Sequence, residues 1–141
     1  MSTYKHILVP TDFSDHSRHA VAKALELRKL FDARLTVVHV VDYMPPTFIT
    51  GQSGSISPPQ IIERATQYLA KWCDKAGLAD AEQLVANGAA GREIVDTARS
   101  KGVDLIVIGT SGEGGMKRLL GSTTRAVIHD TPCDVLSVHR E

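Results

Sequence analysis

The sequence predicts an α/β fold: a parallel sheet with helices on both faces. Three observations carry that prediction. Five short apolar or β-branched runs alternate with four stretches of helical periodicity, which calls for parallel strands joined by right-handed helical crossovers. Leu105-Ile106-Val107-Ile108 is apolar throughout, as a strand buried on both faces must be. That run opens directly into Gly109-Thr110-Ser111-Gly112, the punctuation expected where a buried strand meets a loop.

The elements follow in order. His6-Ile7-Leu8-Val9 is a short strand stopped by Pro10. From Ser14 to Phe31 the residues Ala20, Ala24, Leu27 and Phe31 recur at helical spacing. Leu35 to Val41 is β-branched and reads as the second strand. Ser57-Pro58-Pro59-Gln60 announces the second helix, with a capping serine, a first-turn proline and a glutamine placed to complete a capping box. Its apolar stripe runs from Ile61 through Tyr68, Leu69 and Trp72 to Ala76. Glu82 to Ala86 is a weaker, more polar strand, suited to a sheet edge. Glu93 to Lys101 is the third helix, closed by Gly102. Leu105 to Ile108 is the fourth strand, Ser122 to Asp130 the last helix, ended before Pro132, and Val135 to Val138 the fifth strand.

Composition bounds the function classes. A chain of 141 residues suits a single domain, and the expected unit is 1–141. Sixteen basic and sixteen acidic residues balance, so no overall field recruits nucleic acid or a membrane surface. No apolar run approaches the roughly 18 residues that span a bilayer. Met1 to His6 lacks a signal-peptide layout, which makes cytoplasm the expected compartment. Cys73 and Cys133 have no CxxC spacing, so neither a metal site nor a redox pair is expected.

The chemistry concentrates where strands end. Gly121 precedes Ser122, Thr123 and Thr124 at the start of the last helix. Glycines admit close backbone approach, and a helix N-terminus offers amide hydrogens and a favourable dipole to an anion. A nucleotide or another phosphorylated ligand is therefore the leading expectation. No Gly-Lys pair occurs, so this is no Walker loop, and Gly112-Glu113-Gly114-Gly115 does not complete a dinucleotide fingerprint. A glycine-rich surface loop without a ligand fits the same local residues. What favours a site is convergence: Pro10-Thr11-Asp12, Val40-Val41-Asp42 and Gly109-Thr110 all follow strands, and ligands of such sheets bind beyond the strands' carboxyl ends. The irregular segment Asp42 to Ser57 leaves the second strand beside this crevice; a lid and a simple insertion both suit it.

Individual residues carry competing readings. Asp12 suits ribose hydroxyls or a helix cap, and Ser122 and Thr123 suit phosphate, Mg²⁺ or ordinary capping. Lys117 and Arg118 suit phosphate charge or plain solvation. His16 and His19, three apart, are expected as exposed helix residues rather than metal ligands. His39 is expected to be a packed, hydrogen-bonded histidine. No Gly-x-Ser-x-Gly elbow or water-activating group stands out, so any turnover of ATP is expected to be slow.

Several segments together resemble the universal stress protein family. They are Pro10-Thr11-Asp12-Phe13-Ser14, Val37-Val38-His39-Val40, Gly88 with Gly91-Arg92-Glu93-Ile94-Val95, Val103 to Gly109, and Gly109-Thr110-Ser111-Gly112 through Gly121-Ser122 to Pro132-Cys133-Asp134-Val135-Leu136. The resemblance implies an adenine-nucleotide fold (adenine nucleotide alpha hydrolase-like) with strand order 3-2-1-4-5. It implies ATP or AMP as ligand, with or without Mg²⁺, and a homodimer formed through the C-terminal strand. It also implies a stress-response regulatory role exerted through an unidentified protein partner. The family's glycine motif maps onto Gly109, Gly112, Gly121 and Ser122. The implied contacts are phosphate on that loop and on the Gly121-Ser122-Thr123 backbone, ribose or adenine on Asp12, and adenine on the backbone of Val40. The spacer Glu113 to Leu120 has eight residues, one fewer than the ATP-binding pattern. Two rivals stand beside this reading: a nucleotide-free dimeric interaction module, and a slow ATPase.

Overall fold

The computed structural model describes residues 3–42, 58–110 and 121–139. Nine elements alternate: β1 (His6–Pro10), α1 (Asp15–Phe31), β2 (Arg34–Val41), α2 (Pro58–Ala76), β3 (Glu82–Asn87), α3 (Ala90–Lys101), β4 (Leu105–Gly109), α4 (Ser122–Asp130) and β5 (Asp134–Val138). All neighbours in the sheet are parallel, in the order β3-β2-β1-β4-β5. Chain order reverses between β1 and β4, where open α/β sheets place their ligands.

Both faces of the sheet are covered. Ile7 and Val9 of β1, Leu35 and Val37 of β2, and Leu105 and Val107 of β4 pack against Ala20, Val21 and Ala24 of α1 and Leu69 and Trp72 of α2. The alternate residues Leu8, Val38, Ile106 and Ile108 pack against Ile94, Val95 and Ala98 of α3 and Val127 of α4. Strands β1 and β4 are buried at every position, which explains their unbroken apolar character. The edge strands β3 and β5 are only half-buried and carry the polar positions.

Helix boundaries follow local chemistry. Ser14 caps α1, its hydroxyl accepting from the Ser17 amide, and Asp32 closes it in a left-handed conformation. Gly102 closes α3 at φ 67°. One boundary corrects the sequence reading: α3 starts at Ala90, not Glu93. Gly91 is thus inside the helix rather than before it. A Cβ there would lie 2.6 Å from the Ala126 Cβ, so glycine is required by the close approach of α4. The proposed capping serine Ser57 and the segment 43–57 lie outside the described residues. Among the described residues no helix is long and apolar enough to cross a membrane.

Candidate functional site

The crevice begins with the way β1 ends. Pairing of β1 with β4 covers only Ile7 with Leu105 and Leu8 with Ile106, while β1 pairs with β2 through Pro10 and Val38. Beyond Leu8 and Ile106 no further pair joins these two central strands. Thr11 is buried and stays on β2: its amide donates to the Val38 carbonyl at 2.9 Å, and its carbonyl accepts from His39 Nδ1 at 2.8 Å. His39 is thus a packed, bonded histidine holding the end of β1.

The chain then turns sharply. Phe13 takes φ 68°, a conformation that a bulky side chain rarely adopts and that costs about 1–3 kcal/mol. Its ring offsets that strain by packing on His39 (4.3 Å between centroids), Tyr68 (4.7 Å) and Trp72 (5.6 Å). The turn leaves Asp12 exposed at the crevice rim. Asp12 Oδ1 accepts from the Ser14 amide at 3.0 Å, from the Ser14 hydroxyl, and from the Ser17 hydroxyl at 2.6 Å. The Ser17 hydroxyl in turn accepts from the Asp12 amide at 3.0 Å. Asp12 therefore supports the helix cap, and its carboxylate is held in a fixed place by that duty.

Val40 contributes backbone. Val38 bonds toward β1, whereas Val41 bonds toward β3 through its carbonyl and the Gly88 amide. Alternation along a parallel strand turns the Val40 amide and carbonyl to the β1 side, past the point where β1 has ended.

The other wall comes from β4 and α4. Gly109 has a packing reason of its own: a Cβ there would meet the His16 carbonyl oxygen at 2.8 Å. His16 and His19 are half-buried on α1 rather than exposed as expected. Thr110 is buried, donates its amide to the Val138 carbonyl at 3.1 Å, and accepts from the Gly121 amide at 2.7 Å. Residues 111–120, with Gly112, Lys117 and Arg118, lie outside the described residues. The Gly121 amide bond to Thr110 thus joins the two ends of the described chain on either side of this segment.

Gly121 is the N-cap of α4 and supplies no side-chain cap bond. Ser122 is exposed and Thr123 half-buried, and neither caps the helix. The third hydroxyl differs: Thr124 is buried and donates to the Gly109 carbonyl at 2.7 Å, pinning α4 to the end of β4. The sequence reading did not single out Thr124 or Ser17. Both act by bonding to residues that only the folded chain brings near.

The structure thus brings Pro10, Thr11, Asp12, Val40, Gly109, Thr110, Gly121, Ser122 and Thr123 to one end of the sheet. The arrangement offers a carboxylate, strand-end backbone groups and a helix N-terminus without a side-chain cap. Among the described residues no group of three His, Cys, Asp or Glu is arranged to hold a metal ion. Cys73 and Cys133 are free thiols, and burial pushes Cys73 up to about 11, so it stays protonated at neutral pH.

Comparison with known proteins decides the family, because residues 3–139 match the model of the universal stress protein family. The chain belongs to the universal stress protein family. Universal stress protein A homolog 1 of Coxiella burnetii is 34% identical, over 96% of each chain. Universal stress protein MJ0531 of Methanocaldococcus jannaschii is 33% identical, over 97% of this chain and 83% of its own. Among solved structures, the universal stress protein UspA from Lactobacillus plantarum superposes with a TM-score of 0.73 at 25% identity, covering 98% of this chain and 99% of its own. A universal stress protein solved in complex with cAMP superposes with a TM-score of 0.70 at 28% identity, covering 99% and 100%.

Proposed function

We propose that this chain binds an adenine nucleotide, ATP or AMP, in the crevice between β1 and β4 and acts as a stress-response regulatory protein. The observation that carries the reading is the convergence at that crevice of Asp12, the Val40 backbone and the N-terminus of α4, in a family whose cAMP complex shares this fold. Asp12 suits the ribose hydroxyls, as an acidic residue after a strand does in related folds. The Val40 backbone suits the adenine edge. Thr110, Gly121, Ser122 and Thr123, with Gly109 beside them, suit the phosphates, because the first amides of α4 point out of the helix; the family's glycine motif would add Gly112. The Ser122 hydroxyl suits a bond to phosphate, direct or through Mg²⁺.

The same reading includes a homodimer through β5. That strand is a sheet edge, and an edge presents unpaired backbone groups to a second copy. Leu136 on β5 and Ile128 on α4 are exposed at 37% and 43%, and a two-fold axis would make a pairing surface at β5 self-complementary.

Calorimetry on protein stripped of nucleotide tests the binding. ATP, ADP, AMP and cAMP are titrated with and without Mg²⁺. Micromolar affinity that falls in Ser122→Ala and Asp12→Ala is the expected result. Absence of binding by all four would leave a dimeric interaction module, and phosphate release that Ser122→Ala abolishes would point instead to a slow ATPase.

A further inference from the structure

Of the two aromatic side chains on α2, only one belongs to the core. Tyr68 and Trp72 lie four residues apart and so share one face of the helix. Trp72 is 8% exposed and packs in the cluster beneath α1 and α2. Tyr68 is 57% exposed and lies outside that cluster. Its ring nevertheless meets the Phe13 ring edge-on, with centroids 4.7 Å apart and planes at 66°.

Phe13 is the residue that needs such a contact. Among the described residues the other non-glycine with a positive φ is Asp32, the cap of α1. A short polar side chain suits that conformation because it bonds locally to the backbone. Phenylalanine has no such group, so neighbouring rings must hold it against the strain. His39 stacks on Phe13 at 4.3 Å from β2, and Tyr68 is the nearer of the two α2 rings, with Trp72 at 5.6 Å.

The strained turn secures the Asp12 carboxylate. The Phe13 amide donates to Thr11 Oγ1 at 3.0 Å, and the next amide, that of Ser14, donates to Asp12 Oδ1 at 3.0 Å. The φ of Phe13 sets the direction of that Ser14 amide and the distance of Asp12 from the start of α1. Relaxation of Phe13 to a negative φ would move Asp12 relative to both Ser14 and Ser17, its two side-chain donors.

We propose that Tyr68 is a positioning residue for the nucleotide site. Its ring holds Phe13 in the left-handed conformation and thereby fixes the Asp12 carboxylate where it meets the ribose hydroxyls. The ribose contact rests on the nucleotide reading above, whereas the holding of Asp12 is a property of the protein without ligand. The two parts therefore fail separately.

Amide hydrogen exchange of the whole nucleotide-free chain tests the holding of Asp12. The Asp12 and Ser14 amides are compared with that of Ala24, farther along α1, in the wild type, Tyr68→Ala and Tyr68→Phe. Both variants should fold, because Tyr68 lies outside the core. In Tyr68→Ala, exchange at Asp12 and Ser14 should speed up about two- to tenfold relative to Ala24, the range that one aromatic pair produces. Tyr68→Phe keeps the ring and should match the wild type. An unchanged ratio in Tyr68→Ala, or an equal rise in Tyr68→Phe, overturns the proposal.

Calorimetry with ATP and with dideoxy-ATP, which lacks both ribose hydroxyls, tests the consequence for binding. The wild type should prefer ATP, and that preference should shrink in Tyr68→Ala and survive in Tyr68→Phe. Tyr68→Ala protein that keeps the full preference, or weakens for both nucleotides alike, overturns the role in ribose recognition. A wild type that binds neither nucleotide would refute the nucleotide reading instead, and the exchange comparison would still decide whether Tyr68 holds Asp12.

Discussion

Asp12 and Ser122 lie at the same end of the sheet but carry different loads in the fold. Asp12 Oδ1 accepts three hydrogen bonds that hold the start of α1, whereas Ser122 is exposed and makes no cap bond. Asp12→Ala should therefore lower stability by about 1–3 kcal/mol, read by urea denaturation. Ser122→Ala should change it by less than about 0.5 kcal/mol while weakening nucleotide binding as Asp12→Ala does. Gly109 illustrates the limit of reading a glycine from sequence. It is legible as a strand-end glycine, but its contact with the His16 carbonyl oxygen is not. Gly109→Val should destabilise the nucleotide-free protein by about 1–3 kcal/mol or more through overpacking, so loss of binding in that variant would not by itself mark a phosphate contact. Thr124 was hidden for a similar reason: three hydroxyls in a row look alike until the fold sends one of them inward to Gly109.

At the scale of elements, the strands and helices with strong periodicity were legible, and the exception has a physical cause. The periodicity starts α3 at Glu93, yet the helix begins at Ala90 and takes in Gly91, because the close packing against Ala126 that this glycine permits outweighs its poor helix propensity. Gly91→Ala tests this balance. Alanine improves helix propensity by about 1 kcal/mol, but its Cβ would sit 2.6 Å from that of Ala126. Overpacking on the order of 1–3 kcal/mol should win, and urea denaturation should show a net loss of stability. The edge strand β3 has an acid response of its own. Hydrogen bonds from Lys101 and then Thr36 hold the Glu82 carboxyl below its ordinary value of 4.5. With that value depressed, the contribution of Glu82 is present above 4.5 and lost as pH falls through the folded value. Glu82→Gln should flatten the acid limb of a stability profile in that range.

For the whole molecule, the alternation of strand and helix predicts a parallel sheet but does not order its strands; the order 3-2-1-4-5 came from the resemblance and is the order observed. The order matters because it sets β1 beside β4 and so gathers residues scattered from Pro10 to Thr123 at one end. It also leaves β5 at an edge, with Leu136 facing outward. Sedimentation velocity at micromolar concentration should show a dimer that Leu136→Lys converts to monomer; a monomeric wild type would contradict the assembly. The proposed lid, Asp42 to Ser57, falls almost wholly outside the described residues. Its low-periodicity stretch of Pro, Gly and Ser gives neither a helix nor a strand pattern to read.

The most direct test of the central claim is an amide chemical-shift map of the nucleotide-stripped protein, recorded with and without saturating ATP and again with AMP. The account predicts the largest shifts at Thr11, Asp12, Val40, Thr110 and Gly121 to Thr123. His6, Thr36 and Glu82, at the far end of the same strands, should remain still. Large shifts clustered at that far end, or no shifts at any nucleotide concentration, would contradict a nucleotide site in the crevice between β1 and β4.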